Sequence, residues 1–182
     1  LMKMVDFAQN NNIDYNNSTL KRAICIGEAL RNPDGELTTL GKKISEEWGA
    51  LELYSTYAST EMQTSFTECE AHEGGHIPAD LIIVELLDDN EQPVKDGEPG
   101  EVTITTIGVE AMPLLRFKTG DICIRTSAPC KCGRNSARLS SVLGRKGQMI
   151  KFKGTTIYPP ILFDILDNIP DVENYIVEVF TN

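Results

Sequence analysis

Between Leu20 and Tyr57 the chain runs through an apolar stretch, a turn, a capped amphipathic helix and a second apolar stretch, and this order narrows the available folds more than any other feature. Leu20 to Ile26 reads as a short buried strand ending at Gly27-Glu-Ala-Leu30. Asn32-Pro-Asp-Gly35 has the chemistry of a turn. Thr38 or Thr39 caps a helix whose Leu40, Ile44 and Trp48 form one apolar stripe, and Gly49 closes it. Ala50 to Tyr57 is the returning strand. Strand, helix and strand in this order make a βαβ unit with a parallel pair. The two strands then end side by side. Gly27-Glu28 and the stretch from Tyr57 to Met62 therefore lie together at carboxyl ends of strands, where α/β proteins place ligands.

That stretch, Tyr57-Ala-Ser-Thr-Glu-Met62, is chemically suited to a nucleotide. Ser59 and Thr60 offer short hydroxyls that meet phosphate oxygens without blocking approach. Glu61 is a hard oxygen ligand of the kind Mg²⁺ favours when phosphates complete its shell. Tyr57 offers a flat apolar face for a base. Read by itself, the same stretch is a strand running into a Ser/Thr turn.

The rest of the chain changes in character. Met4, Val5 and Ala8 fall at helical spacing over residues 2–10. After Glu61, strands are predicted at Asp80–Leu87 and Gly100–Ile107, around Asp88–Val94 as their turn, then at Leu114–Lys118, Ile122–Thr126 and Arg138–Val142. Short strands at this rhythm indicate an antiparallel sheet or small barrel. Within them Gly120 permits a tight turn, from which Asp121 projects a carboxylate able to accept hydrogen bonds from a sugar diol. Leu143-Gly-Arg-Lys-Gly-Gln-Met-Ile150 reads as a flexible joint. Beyond it, Ile161, Leu162, Ile165, Leu166 and Ile169 share one side of a helix, and Val172–Phe180 reads as a strand. The fold class is α/β: a βαβ part over residues 1–62, a β-barrel-like antiparallel subdomain over 63–144, and the start of a small α+β domain over 145–182.

Composition removes several function classes. The formal net charge of −10 disfavours a nucleic-acid surface, since an acidic protein repels phosphate backbones. No apolar run approaches the about 18 residues of a membrane span, and Leu1-Met-Lys-Met-Val-Asp6 turns polar too soon for a secretory signal. Five cysteines, an odd number, fit a reducing compartment such as the cytoplasm better than a disulfide framework. The chain opens on Leu and stops in an apolar run, as expected of a piece of something longer; its last unit is too small to close its own core.

Four residues have the makings of a metal site. Cys69 and His76 lie in one loop, Cys130 and Cys132 in another. In extended chain positions i and i+2 face the same way, so the thiolates of Cys130 and Cys132 converge. Three thiolates and one imidazole make a closed tetrahedral zinc site of the structural type. His72 competes for the fourth place; His76, directly before a strand, is preferred. Cys25 and Cys123 sit inside apolar strands and read as core.

Taken in order, Tyr57-Ala-Ser-Thr-Glu61, Lys118-Thr-Gly-Asp121 and Gly144-Arg145 resemble the adenylate-forming enzymes. Glu110-Ala-Met-Pro-Leu-Leu-Arg-Phe-Lys-Thr-Gly-Asp121, Cys130-Lys-Cys-Gly-Arg134 and Lys153-Gly-Thr-Thr-Ile-Tyr-Pro-Pro160 are similar to phrases of the phenylacetate–CoA ligase branch. The likeness runs from about Ala23 onward. It implies a two-step ligase, in which a carboxylate attacks ATP to give an acyl-adenylate and the thiol of coenzyme A then displaces AMP. It implies that Gly27, Glu28 and Ala29, with Tyr57, Ala58 and Ser59, line the nucleotide. Thr60 would hydrogen-bond phosphate and Glu61 would hold Mg²⁺. Asp121, helped by Arg145, would bind the ribose, and Lys146 would mark the hinge before a mobile C-terminal domain. Ala58 stands where the family usually has glycine, and the hinge reads Arg145-Lys-Gly-Gln148. The phosphate loop expected upstream and the catalytic lysine expected near the end of the C-terminal domain are both missing, so these residues hold half an active site. The implied partners are an aryl carboxylic acid, ATP and CoA, with no nucleic acid and no membrane; a homodimer is compatible with the reading. The other function class is a non-catalytic, zinc-stabilised nucleotide-binding module.

Overall fold

In the computed structural model, residues 1–15, 18–49, 51–152, 155–170, 172 and 174–180 are described. They form three α-helices, a three-stranded sheet, a larger antiparallel sheet and a two-stranded hairpin. Helix α1 (Met2–Asn10) buries Val5 and Ala8. Strand β1 (Arg22–Ile26) leads through the turn to α2 (Thr39–Glu47), and β2 (Glu52–Ala58) returns parallel to β1, with Ala23 opposite Leu53 and Ile26 opposite Thr56. Thr38 is the N-cap of α2: its hydroxyl oxygen accepts from the Gly41 N–H at 3.2 Å. Ile44 and Trp48 bury against Val5, Leu30, Leu51 and Leu53. The chain leaves the helix at Gly49, whose φ is 66°. Ala50, the first residue of the predicted returning strand, lies outside the described residues.

A short strand not foreseen from the sequence, β3 (Ser65–Thr67), pairs antiparallel with β2 and completes a three-stranded sheet in the order β1-β2-β3. The next strands are β4 (Gly75–His76), β5 (Ile82–Leu87), β6 (Pro99–Thr106), β7 (Phe117–Thr126), β8 (Arg138–Leu139) and β9 (Gly144–Arg145). They form an antiparallel sheet in the order β4-β8-β7-β6-β5, with β9 on β7. It is open, and no closed barrel is found among the described residues. Ile82, Val84 and Leu86 alternate into its core with Val102, Ile104 and Cys123, as the period of a one-sided strand requires. Phe66 and Met62 join that core and so bind the two sheets together.

The structure corrects three expectations in this region. The strands predicted at Leu114–Lys118 and Ile122–Thr126 are one strand, β7, running through Thr119-Gly-Asp121. Gly120 therefore makes a bulge rather than a turn. The pairing of β8 is confined to two residues, because Ser140 to Val142 leave the sheet to line a cavity.

A 3₁₀ turn (Lys146–Gln148) precedes the hairpin β10 (Ile150–Phe152) and β11 (Thr155–Ile157), then helix α3 (Pro159–Asp167). Lys153 and Gly154 of the motif that opens this unit lie outside the described residues. Helix α3 buries none of its side chains fully, and Ile161, Phe163 and Ile165 are exposed. It is tied to α2 through the Asp164 carboxylate, which accepts from the Thr39 N–H at 2.9 Å. The strand expected over 172–180 does not form among its described residues.

Candidate nucleotide site and metal centre

The parallel ends of β1 and β2 open onto a cavity of about 300 Å³. Gly27 turns the chain away from β1 at a φ of 90°, which costs glycine little. Gly27, Glu28 and Ala29 form one wall; Tyr57, Ala58 and Ser59, at the end of β2, form the next; Asp121 and Arg145 close the third. Eight residues proposed from sequence thus meet at one place.

Asp121 is held there by the bulge in β7. Glu101 pairs with Ile122 and Thr103 with Lys118, so Thr119, Gly120 and Asp121 together face the single residue Val102. The Thr119 hydroxyl donates to the Val102 carbonyl at 2.9 Å and accepts from the Asp121 N–H at 3.1 Å. Gly120, at a φ of 78°, absorbs the bend. The Asp121 carboxylate is then gripped from both sides. Tyr57 donates its hydroxyl to one oxygen at 2.9 Å, and Arg145 Nε lies 3.2 Å from the other. Arg145 reaches it because β9 pairs with β7 in the register Asp121 opposite Arg145. Burial, and then the Asp121 charge, raise the Tyr57 phenol well above its ordinary value, so its hydroxyl stays a donor. Tyr57 is thus more than a stacking surface: it fixes a carboxylate whose remaining lone pairs can accept a diol. Its ring also packs on Phe66, centroids 5.7 Å apart.

Thr60 and Glu61 lie beyond the end of β2, both exposed, and neither lines the cavity. The carboxyl of Glu61 is held below its usual range by its own backbone N–H and by the Ser59 hydroxyl, so it is ionised at neutral pH. Sequence reasoning missed the loop Ser140–Val142 and Glu68, which also line the cavity. Neither carried a signal. Ser140 is placed by long-range pairing with Ile124, whose N–H donates to the Ser140 hydroxyl at 3.0 Å.

The second constellation forms where the sheets meet. Cys69 follows β3, His76 ends β4, and Cys130 and Cys132 lie between β7 and β8. Their ligand atoms all lie within 4.8 Å of one another. Cys69 Sγ is 3.6 Å from Cys130 Sγ, and Cys132 Sγ is 3.5 Å from His76 Nε2. For a tetrahedron with zinc–sulfur bonds near 2.3 Å, the sulfurs stand about 3.8 Å apart, so this donor set fits the ion. His76 Nδ1 is hydrogen-bonded to Ser136 Oγ at 2.8 Å, leaving Nε2 to face the sulfurs. His72 is elsewhere, its ring 5.0 Å from that of Tyr54 and its nitrogens against Glu68 and Glu52. The two adjacent thiols converge through a turn and not through extended chain. Gly133, at a φ of 88°, lets its N–H donate to the Cys130 carbonyl at 2.9 Å. Burial pushes the Cys69 thiol up to about 11, whereas the Arg134 backbone N–H helps draw Cys132 down to about 7. Cys123 is fully buried in the core, and Cys25 packs against the cluster around Trp48.

No protein-family model matches the chain. Curated relatives do. A phenylacetate–coenzyme A ligase of Thermus thermophilus is 35% identical over 146 residues, covering 80% of this chain and 31% of the relative. One from Escherichia coli is 31% identical over 94 residues, covering 50% of this chain and 21% of the relative. Among solved structures, a 2-hydroxyisobutyryl-CoA ligase in its postadenylation state, in complex with R3-HIB-AMP, aligns with a TM-score of 0.77 at 25% identity, covering 92% of this chain and 35% of that one. The chain belongs to the phenylacetate–CoA ligase branch of the adenylate-forming enzymes. It spans about a third of the length of the Thermus relative and about a fifth of the Escherichia coli one. Its α/β architecture is that of the N-terminal domain of the adenylate-forming CoA ligases.

Proposed function

We propose that the chain supplies the nucleotide-gripping part of an ATP-dependent, AMP-forming aryl-CoA ligase of the phenylacetate type. The observation that supports this best is the Asp121 carboxylate, held by Tyr57 and Arg145 at the carboxyl ends of a parallel strand pair. In the reaction, an oxygen of the carboxylic acid attacks the α-phosphorus of ATP and pyrophosphate leaves. The sulfur of coenzyme A then attacks the acyl carbon and AMP leaves. Asp121 accepts the ribose hydroxyls in both steps, while Gly27, Glu28 and Ala29 lie against the adenine and Thr60 meets phosphate. Glu61, ionised and exposed past the end of β2, would hold Mg²⁺, which neutralises phosphate charge. Cys69, His76, Cys130 and Cys132 would hold a structural zinc, which stabilises the fold and takes no part in the reaction.

In this reading, residues 1–144 belong to the large domain and 145–182 to the hinge and start of a mobile one. Lys146, the first residue past Arg145, is ion-paired with the buried Glu101 at 3.0 Å and with Asp89 at 3.2 Å, which anchors the joint. The aryl acid is proposed from the phenylacetate ligases named above. A reducing, cytoplasmic setting would keep the thiols of Cys69, Cys130 and Cys132 available to metal.

Calorimetric titration tests the site. The 182-residue chain should bind AMP and ATP, and Asp121→Ala should weaken both alike, by about 1.5–3 kcal/mol for hydrogen bonds to a charged acceptor. Unchanged AMP affinity in Asp121→Ala would overturn the assignment. In a protein extended to the length of its relatives, pyrophosphate release should depend on an aryl acid.

A further inference from the structure

Arg138 is a buried charge in search of a partner. The residue is only 3% exposed, and neither Nε nor Nη1 has a hydrogen-bond acceptor. Among the described residues its one carboxylate partner, Glu73, stands 3.6 Å from Nη1, is one-third exposed and is shared with Lys131. A guanidinium taken out of water normally has a hydrogen-bonded anion against it, because the interior does not solvate the charge.

The strand pairing shows where the missing anion belongs. Arg138 on β8 lies directly opposite His76 on β4, so the two side chains are cross-strand neighbours. A second guanidinium reaches the cluster, with Arg134 Nη1 3.4 Å from Cys132 Sγ. Three neutral thiols would leave Arg138 only Glu73, which it shares with Lys131. A divalent ion bound by three thiolates and a neutral imidazole carries one net negative charge.

We infer that Arg138 is the counter-charge of an anionic Cys₃His metal site, a positioning residue that tunes how firmly the ion is held. The inference rests on the zinc assignment above. Arg134, at the exposed rim, contributes less because water screens it.

The test uses the 182-residue chain and zinc itself. Metal content of the purified protein is measured first, then the rate of zinc transfer to a chromogenic chelator. Arg138→Met, similar in length and uncharged, should release zinc about 10- to 100-fold faster, the range found when an outer-shell partner is lost. Arg138→Lys should stay within a few-fold of the parent. Replacing Cys69 with His makes the loaded site neutral, and in that background Arg138→Met should change release by no more than a few-fold. Glu73→Gln covers the case in which Arg138→Met does not fold. It removes the competing carboxylate, and zinc should then be held as firmly as before or more so. Parent protein free of zinc would sink the zinc assignment and this inference with it. A zinc-loaded parent whose release rate is unchanged by Arg138→Met, or a Glu73→Gln variant that loses zinc readily, would overturn the inference alone.

Discussion

At the scale of single residues, the cavity at the ends of β1 and β2 depends on one shared carboxylate. Asp121 has a phenol on one oxygen and a guanidinium on the other, 2.9 and 3.2 Å away. Removing the phenol with Tyr57→Phe leaves the ring on Phe66 and takes away one donor. AMP affinity should fall by about 0.5–1.5 kcal/mol, less than in Asp121→Ala, because Arg145 still orients the carboxylate. The pH dependence has a definite sign. Since the Tyr57 phenol is raised above its ordinary value of about 10, it stays protonated through the mildly alkaline range. AMP binding should therefore not weaken between about pH 8 and 10 on account of Tyr57. A loss centred near the ordinary phenol value, absent in Tyr57→Phe, would show that the hydroxyl is not buried against Asp121.

At the scale of elements, α2 is the part whose local chemistry reaches the site. The Thr38 hydroxyl caps the helix through the Gly41 N–H and also donates to the Ala29 carbonyl at 3.1 Å. Ala29 is part of the cavity wall, so helix cap and cavity wall share a side chain. Thr38→Ala should cost about 1 kcal/mol in urea unfolding and loosen AMP binding as well. Gly41 makes the complementary case. Helix propensity favours alanine over glycine by about 1 kcal/mol, yet a Cβ at Gly41 would stand 2.5 Å from the Leu30 carbonyl oxygen. Gly41→Ala should destabilise the chain. If it instead raises the unfolding midpoint, α2 does not sit on the Leu30 backbone as described.

At the scale of the whole molecule, the thiol cluster joins what the chain separates. Cys69 follows the last strand of the three-stranded sheet, while His76 lies on the antiparallel sheet and Cys130 and Cys132 lie in its β7–β8 connection. A bound ion would pin one sheet to the other, adding to the packing of Phe66 and Met62 and the Tyr57–Asp121 hydrogen bond. Chelation of the metal should lower the melting temperature. A loss of about 2 kcal/mol corresponds to about 4–8 °C in a chain of this size. Hydrogen exchange should rise around β4 and β8 before it rises in α2, which packs on the other core. Uniform loosening of both sheets would mean that the cluster is not their clip.

What the sequence determined by itself is local and periodic. Helix α2, with its Thr38 cap and its Ile44–Trp48 stripe, follows from 3.6-residue spacing and cap chemistry. The parallel pairing of β1 and β2 follows from the length of the crossover between them. The donor types at Cys69, His76, Cys130 and Cys132 were legible because few chemistries use three thiols and an imidazole. The tertiary structure decided everything that depends on a register between distant strands. Whether Thr119-Gly-Asp121 is a turn or a bulge depends on Val102, seventeen residues away. Whether His72 or His76 faces the sulfurs depends on the pairing of β4 with β8. That Arg138 lies buried beside His76 has no local signature at all. Helical and turn preferences are set by neighbours along the chain, whereas a sheet brings each residue the surroundings of a strand it has not yet met. Position along the sequence therefore told which side chains carry chemistry, and only the pairing of strands told which of them meet.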